Sequence, residues 1–109
     1  MTHSLPRRPT ADLTGKQRRH LRGLAHHLEP VVQVGKEGVT EAVLAAVRRA
    51  LDDHELIKVK VLEGAPLDRD EAAPLLAAGS GAHVVGQVGR LVLLYRMPKN
   101  DPKIRLPGR

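Results

Sequence analysis

The ten residues Val31-Val32-Gln33-Val34-Gly35-Lys36-Glu37-Gly38-Val39-Thr40 constrain the fold more than any other stretch of the chain. Val31, Val32 and Val34 are β-branched and bounded by Pro30 and Gly35, the punctuation of a short buried strand. Thr40 stands where a helix N-cap belongs, and Glu41 follows in the first turn, where a carboxylate complements unpaired amides and the helix dipole. Strand, Gly-x-x-Gly turn and helix therefore follow one another directly. The two glycines open backbone conformations closed to other residues and leave the main chain bare around Lys36 and Glu37. Amides at such a turn, at the start of a helix, can hold an anion, with Lys36 as a mobile charge at the rim. The same residues also suit a plain tight strand-to-helix connection, the commoner use of so short a motif.

Of the 109 residues 41% are hydrophobic, yet only Tyr95 is aromatic, so the core must be built from Leu, Val, Ala and Ile. A protein that reads single strands by stacking bases on several exposed rings is thereby excluded. The lack of cysteine excludes disulfides, thiolate zinc sites and cysteine nucleophiles. The length suits one domain. No apolar run near Arg7 and Arg8 is long enough for a signal peptide or a membrane span, so a cytoplasmic location is expected.

The net charge of +6 is unevenly distributed. Residues 1–29 hold six lysines and arginines against Asp12 and Glu29, and residues 96–109 hold five against Asp101, so each end contributes +4 and the middle of the chain is left at −2. Segregated positive charge favours a polyanionic partner, nucleic acid first and an acidic membrane surface second.

Residues 1–12, with Pro6 and Pro9, have no periodicity and are expected to form a flexible basic arm. Thr14 and Gln17 make a capping-box pair that opens a helix, in which Leu21, Leu24, Ala25 and Leu28 share one face and Pro30 ends the run. Lys16, Arg18, Arg19, His20, Arg22, His26 and His27 fall on the polar arc, with no acid between Lys16 and Leu28. A second amphipathic helix is predicted over residues 40–54, carrying Val43, Leu44, Val47, Ala50 and Leu51 inward and Arg48 and Arg49 outward. Residues 56–62 alternate as a strand with Ile57, Val59 and Val61 on one face and Lys58 and Lys60 on the other. Asp68 or Asp70 can cap a third helix facing the core through Leu75, Leu76 and Ala77 or Ala78. Pro74 is tolerable in a first turn, which puts the helix start near Asp70 or Glu71, and Gly79-Ser80-Gly81 ends it. Residues 83–88 and 91–96 read as strands joined by a tight hairpin at Gly89-Arg90. The order helix-strand-helix-strand-helix-strand-strand predicts an α/β domain over residues 13–98, a mixed sheet covered by helices, followed by a basic tail over 99–109.

No catalytic constellation emerges. His20, His26 and His27 lie among arginines that oppose a bound cation, and no carboxylate or thiolate joins them at ligand spacing, so neither metal nor cofactor is expected. His54 and His83 lack a serine or threonine nucleophile as partner. Gly35-Lys36 lacks a P-loop ending, and Asp52, Asp53 and Glu55 read as solvated charges at a helix end.

Residues 24–40, together with His54-Glu55-Leu56-Ile57-Lys58-Val59-Lys60-Val61 and the closing Leu93-Leu94-Tyr95-Arg96, closely resemble the CRM domain, the chloroplast RNA splicing and ribosome maturation module, in its single-domain bacterial YhbY-type form. The resemblance runs from about Leu13 to Leu106. It implies a four-stranded mixed sheet with helices packed on it, similar to the C-terminal domain of bacterial translation initiation factor three. It also implies RNA binding without catalysis, and association with ribosomal RNA in precursors of the large ribosomal subunit. The family's Gly-x-x-Gly loop, likened to the loop with which KH domains clamp an RNA backbone, maps onto Gly35, Lys36, Glu37 and Gly38. On this reading Lys16, Arg18, Arg19, Arg22 and His26 extend the contact along the first helix, Lys58 and Lys60 from the open sheet face, and Arg96, Lys99, Lys103 and Arg105 from the tail. A monomer acting without a small-molecule substrate or membrane is expected. The alternative is a protein-interaction module that docks on a ribosomal protein or assembly factor without direct RNA recognition.

Overall fold

A computed structural model describes residues 12–108. The arm expected over residues 1–12 lies, apart from Asp12, outside the described residues. Three helices, α1 (Gly15–Ala25), α2 (Glu41–His54) and α3 (Arg69–Ser80), alternate with strands β1 (Pro30–Val34), β2 (Leu56–Val61), β3 (His83–Val88) and β4 (Leu91–Tyr95) in the predicted order. The sheet order is β1-β2-β4-β3, with β1 parallel to β2 and both β2 and β3 antiparallel to β4. The hairpin at Gly89-Arg90 thus sends β4 into the sheet, where it separates β2 from β3, and leaves β3 as the edge. Gly89 takes the left-handed conformation that closes the turn, at φ 58°.

The sheet buries both faces. On one, Val32, Val34, Ile57, Val59, Val61, Val92 and Leu94 pack under α2 and α3. On the other, Leu56, Val85, Leu93 and Tyr95 pack under Leu21 and Ala25 of α1, and Ile104 and Leu106 close the same cluster. The C-terminal residues therefore return to the body of the protein. Gln17 both completes the capping box with Thr14 and donates through its side-chain amide to the Pro107 carbonyl at 3.0 Å.

Three local expectations need correction. Helix α1 ends at Ala25 rather than at Pro30; Leu28 lies beyond it and is 37% exposed, and Leu24 is 41% exposed, so the inward stripe is Gln17, Leu21 and Ala25. Helix α3 begins at Arg69, because Asp68 and Glu71 satisfy each other's backbone amides in a capping box. Pro74 consequently lies in the second turn, on the exposed side, and the buried residues are Ala72, Ala73, Leu76 and Ser80. The helix also continues through Gly79, where a β-carbon would stand 2.6 Å from Leu44 of α2; glycine here lets the two helices approach. Gly81, at φ 75°, supplies the left-handed stop.

Glu55 is the largest departure from expectation. It is not a solvated charge: it is 4% exposed and sits at φ 68°, ending α2 and turning the chain into β2. Its carboxylate accepts the backbone amides of Lys103 at 2.6 Å and Ile104 at 3.2 Å, and its carbonyl accepts the Arg96 amide at 2.9 Å. Glu55→Ala is expected to lower stability by about 2–4 kcal/mol, since it strands two amides under the C-terminal segment. Glu55→Gly should cost about 1 kcal/mol less, because glycine accepts the positive φ at this position. Urea denaturation of the two variants, with amide exchange at Lys103 and Ile104, checks both statements.

Candidate nucleic-acid interface

The Gly-x-x-Gly segment forms a closed turn at the C-terminal end of β1. The Gly38 amide donates to the Gly35 carbonyl at 2.9 Å, and Lys36 and Glu37 stand exposed at the corners. Thr40 caps α2 by accepting the Val43 amide at 3.1 Å. Three of the amides that the sequence pattern offered to an anion, those of Gly38, Thr40 and Val43, are therefore already engaged, the Thr40 amide by the Gly38 carbonyl at 3.1 Å. The two glycines also differ in role. Gly38 is buried at φ 78°, with Pro66 3.4 Å from where its β-carbon would be. Gly35 has no such conformational requirement, and the nearest atom to its β-carbon position is Leu62 Cδ1 at 3.9 Å.

The basic side chains that the sequence offered to RNA divide into two groups. In the first, each cation is held by the protein's own carbonyls. Arg18 donates to the Val84 carbonyl at 2.7 Å and Arg22 to the Val85 carbonyl at 3.0 Å, where a register shift between Val84 and Gly86 interrupts the pairing of edge strand β3. The Arg22 stem fills the space that Gly86 leaves open: a β-carbon there would meet it at 2.8 Å. Lys58 donates to the Leu28 carbonyl at 2.8 Å and so braces the connection between α1 and β1. Arg96 donates to the carbonyls of Ser80 at 2.8 Å and Arg48 at 3.3 Å and pairs with Asp52. These four positions hold elements together, which their sequence positions did not reveal because every acceptor but Asp52 is a backbone oxygen.

The second group consists of Lys16, Arg19, Lys36, Lys60, Lys99 and Arg105, whose side chains are exposed and unpaired among the described residues, together with the side chain of Lys103. Lys60 lies opposite Gln33 in the β1–β2 register, one residue short of the turn, on the sheet face that also carries α1. Lys16 and Arg19 project from α1, where His26 is exposed with its ring edge-on to His27 at 5.5 Å. Unpaired amines thus occur both at the sheet end with the turn and on the α1 face. Arg90, in the hairpin at the same end as the turn, was read from sequence only as a turn residue; it reaches Glu63 at 3.9 Å.

The remaining titratable chemistry is structural. Tyr95 is 1% exposed, its hydroxyl has no hydrogen-bond partner among the described residues, and burial followed by the Glu55 charge raises its pKa. His83 stacks on the Tyr95 ring at 6.4 Å; burial and the neighbouring Arg18 charge lower its pKa, against a smaller opposing effect of Asp12. Among the described residues no group of three or more His, Asp or Glu side chains is placed to share a metal ion, and no helix is long and apolar enough to cross a membrane.

Residues 13–96 match the family described as the CRS1 / YhbY (CRM) domain. The chain is 43% identical over 95 residues to the probable RNA-binding protein YqeI of Bacillus subtilis (strain 168), spanning 87% of this chain and 99% of that one. It is 46% identical over 98 residues to an RNA-binding protein of Haemophilus influenzae, spanning 87% and 95% of the two chains. The solution structure of SAV1595 from Staphylococcus aureus, described as a candidate RNA-binding protein, superposes with a TM-score of 0.76 at 38% identity, covering 88% of this chain and 100% of that one.

Two measurements check the local physics. Gly38→Ala is expected to cost about 1–2 kcal/mol in chemical denaturation, and Gly35→Ala less than about 0.5 kcal/mol. His83 has a lowered folded pKa, so the unfolded chain takes up its proton first as the medium is acidified. Its contribution to stability is complete above about pH 6.5 and is lost as pH falls below that value. His83→Gln should flatten the fall in melting temperature between about pH 7 and pH 5.

Proposed function

The chain belongs to the CRS1 / YhbY (CRM) domain family, and from that premise we propose that it is a monomeric, cytoplasmic RNA-binding protein that associates with ribosomal RNA in precursors of the large ribosomal subunit. The observation that carries RNA binding is the set of unpaired cations, Lys36 and Lys60 at the turn end of the sheet and Lys16 and Arg19 on α1. Such charges meet phosphates and release counterions, and they carry no sequence information themselves. Gly35 lets a sugar-phosphate chain approach the main chain at the turn, and Lys36 neutralises it. Lys99, Lys103 and Arg105 add charge from the C-terminal segment. At the turn and along α1 the contact is read by shape and charge, since Tyr95, the one Phe, Tyr or Trp ring, is in the core and cannot stack a base. Association with the ribosomal precursor is supported by the family resemblance, and the exposed groups of the turn and of α1 fit a binder rather than a catalyst.

A second reading has its own observation. Leu24, Leu28 and Val31 are 37–50% exposed and border an apolar cleft of about 460 Å³ with Leu56, Ile57 and Ile104. A ribosomal protein or assembly factor could dock there, and such a complex would survive nuclease.

Lys36→Glu is expected to weaken binding to ribosomal RNA about tenfold at moderate salt and to reduce the salt slope by roughly one, with an unchanged melting temperature. Arg96→Met should lower the melting temperature and leave the slope unchanged, because its guanidinium is committed to Ser80, Arg48 and Asp52. Unaltered affinity in folded Lys36→Glu protein refutes the proposed contact, and nuclease-resistant retention on precursor particles favours the docking reading.

A further inference from the structure

A second concavity shares a wall with the Gly-x-x-Gly turn. Pro66 and Leu67, which lie within 4.0 Å of the position a Gly38 β-carbon would take, also line a cleft of about 490 Å³ between the β2–α3 connection and the β3–β4 hairpin. Its frame is fixed: Arg69 donates to the Gly89 carbonyl at 3.1 Å, and the Val61 amide donates to the Arg90 carbonyl at 2.8 Å. The size is that of a small-ligand site.

The lining carries both signs of charge. Asp68 and Glu71 are spent on the capping box of α3. Glu63 and Asp70 are largely exposed, and their contacts to Arg90 at 3.9 Å and Arg69 at 3.4 Å leave carboxylate oxygens free to accept. A phosphate would meet these carboxylates, and a basic side chain would meet Arg69 and Arg90. A neutral, planar ligand with hydrogen-bond donors avoids both conflicts. Its flat face can lie against Pro66 or under the Arg90 guanidinium, which substitutes for the aromatic ring that the lining of this cleft lacks.

We propose that this cleft receives one unpaired guanine base of the RNA, with its Watson–Crick edge against the Glu63 and Asp70 carboxylates. Guanine is the one standard base whose Watson–Crick edge presents two adjacent donors, N1–H and the 2-amino group, which match the two oxygens of a carboxylate. Adenine and cytosine pair a donor with an acceptor there, and uracil flanks one donor with acceptors. The inference rests on RNA binding at the adjoining turn: a phosphate held at Lys36 leaves a neighbouring nucleotide beside Pro66, where its base can turn into the cleft.

The test is fluorescence anisotropy at fixed salt with three short single-stranded RNAs: oligoadenylate, the same strand with one central guanosine, and the same strand with inosine in that place. The guanosine strand should bind about tenfold more tightly than oligoadenylate. Inosine, lacking the 2-amino group, should lose most of that gain. The double variant Glu63→Gln, Asp70→Asn should erase the preference while binding oligoadenylate at least as well as the parent, both substitutions being at exposed side chains. Lys36→Glu should weaken all three strands alike, leaving their ratio intact. Equal affinities for the guanosine strand and oligoadenylate overturn the guanine site and leave the proposed function standing, as does a preference that persists in the double variant. Failure of every strand to bind overturns both. Amide shifts at Glu63 and Asp70 caused by an arginine-rich peptide and not by the guanosine strand would make the cleft a protein site and equally overturn the proposal.

Discussion

The buried carboxylate of Glu55 and the guanidinium of Arg96 together hold the ends of four elements. Glu55 stops α2 at a positive φ, starts β2 one residue later, and receives through its carbonyl the amide that follows β4. Its side chain meanwhile orders Lys103 and Ile104, bringing Ile104 and Leu106 over the α1 side of the sheet. Arg96 extends the same junction to α3 by meeting the Ser80 carbonyl, and to α2 through the Arg48 carbonyl and Asp52. A buried ionised group is tolerated only when its hydrogen-bonding capacity is met, so each of these contacts is a condition on the others. A core of modest aliphatic side chains, with one ring, gains from a polar junction that fixes how its layers meet.

This economy changes the meaning of the net charge. A count of lysines and arginines treats every cation as available to a partner, yet Arg18, Arg22, Lys58 and Arg96 hold the protein's own carbonyls. Those carbonyls lie where regular pairing fails, at the interrupted edge of β3, beyond the end of α1 and at the end of α3. A long cationic side chain can satisfy an oxygen several ångströms from its own backbone, which suits it to such places. A guanidinium has five donors, so Arg18 and Arg22 retain capacity toward a phosphate, although their reach is fixed by β3. The freely mobile field comes from the smaller set that includes Lys16, Arg19, Lys36 and Lys60.

Most of the architecture was legible because each element carries its own local signal. Thr14 with Gln17, Thr40, the alternation from Leu56 to Val61 and the spacing at Gly89-Arg90 each act within a few residues, and all four elements appear where they were read, although the face of β2 with Lys58 and Lys60, expected to be open, packs Leu56 under α1. What failed to show depends on contacts distant in sequence. Leu24 and Leu28 fit a helical stripe, but α1 stops at Ala25 and the sheet beneath it meets Leu21 and Ala25. Pro74 suggested a late start for α3, but the reciprocal cap between Asp68 and Glu71 outweighs one missing amide. Glu55 looked like one acid among three; its partners are 48 and 49 residues away.

The Gly-x-x-Gly motif itself separates into a folding requirement and an opportunity. Gly38 is accounted for by its positive φ, with Pro66 only in ordinary contact with the β-carbon position, whether or not anything binds. Gly35 has no such constraint, and under the proposed function its bare main chain is where a sugar-phosphate chain would approach. The internal bond from Gly38 to Gly35 removes one amide from any ligand, but it also fixes the corner that carries Lys36. A polyanion then meets a charge whose base is already ordered, and less conformational entropy is lost on contact than a slack loop would cost. On that proposal the rigidity of the turn and the exposure of the lysine are complementary: the first sets where the backbone can lie, and the second lets strands of different local shape meet the same charge.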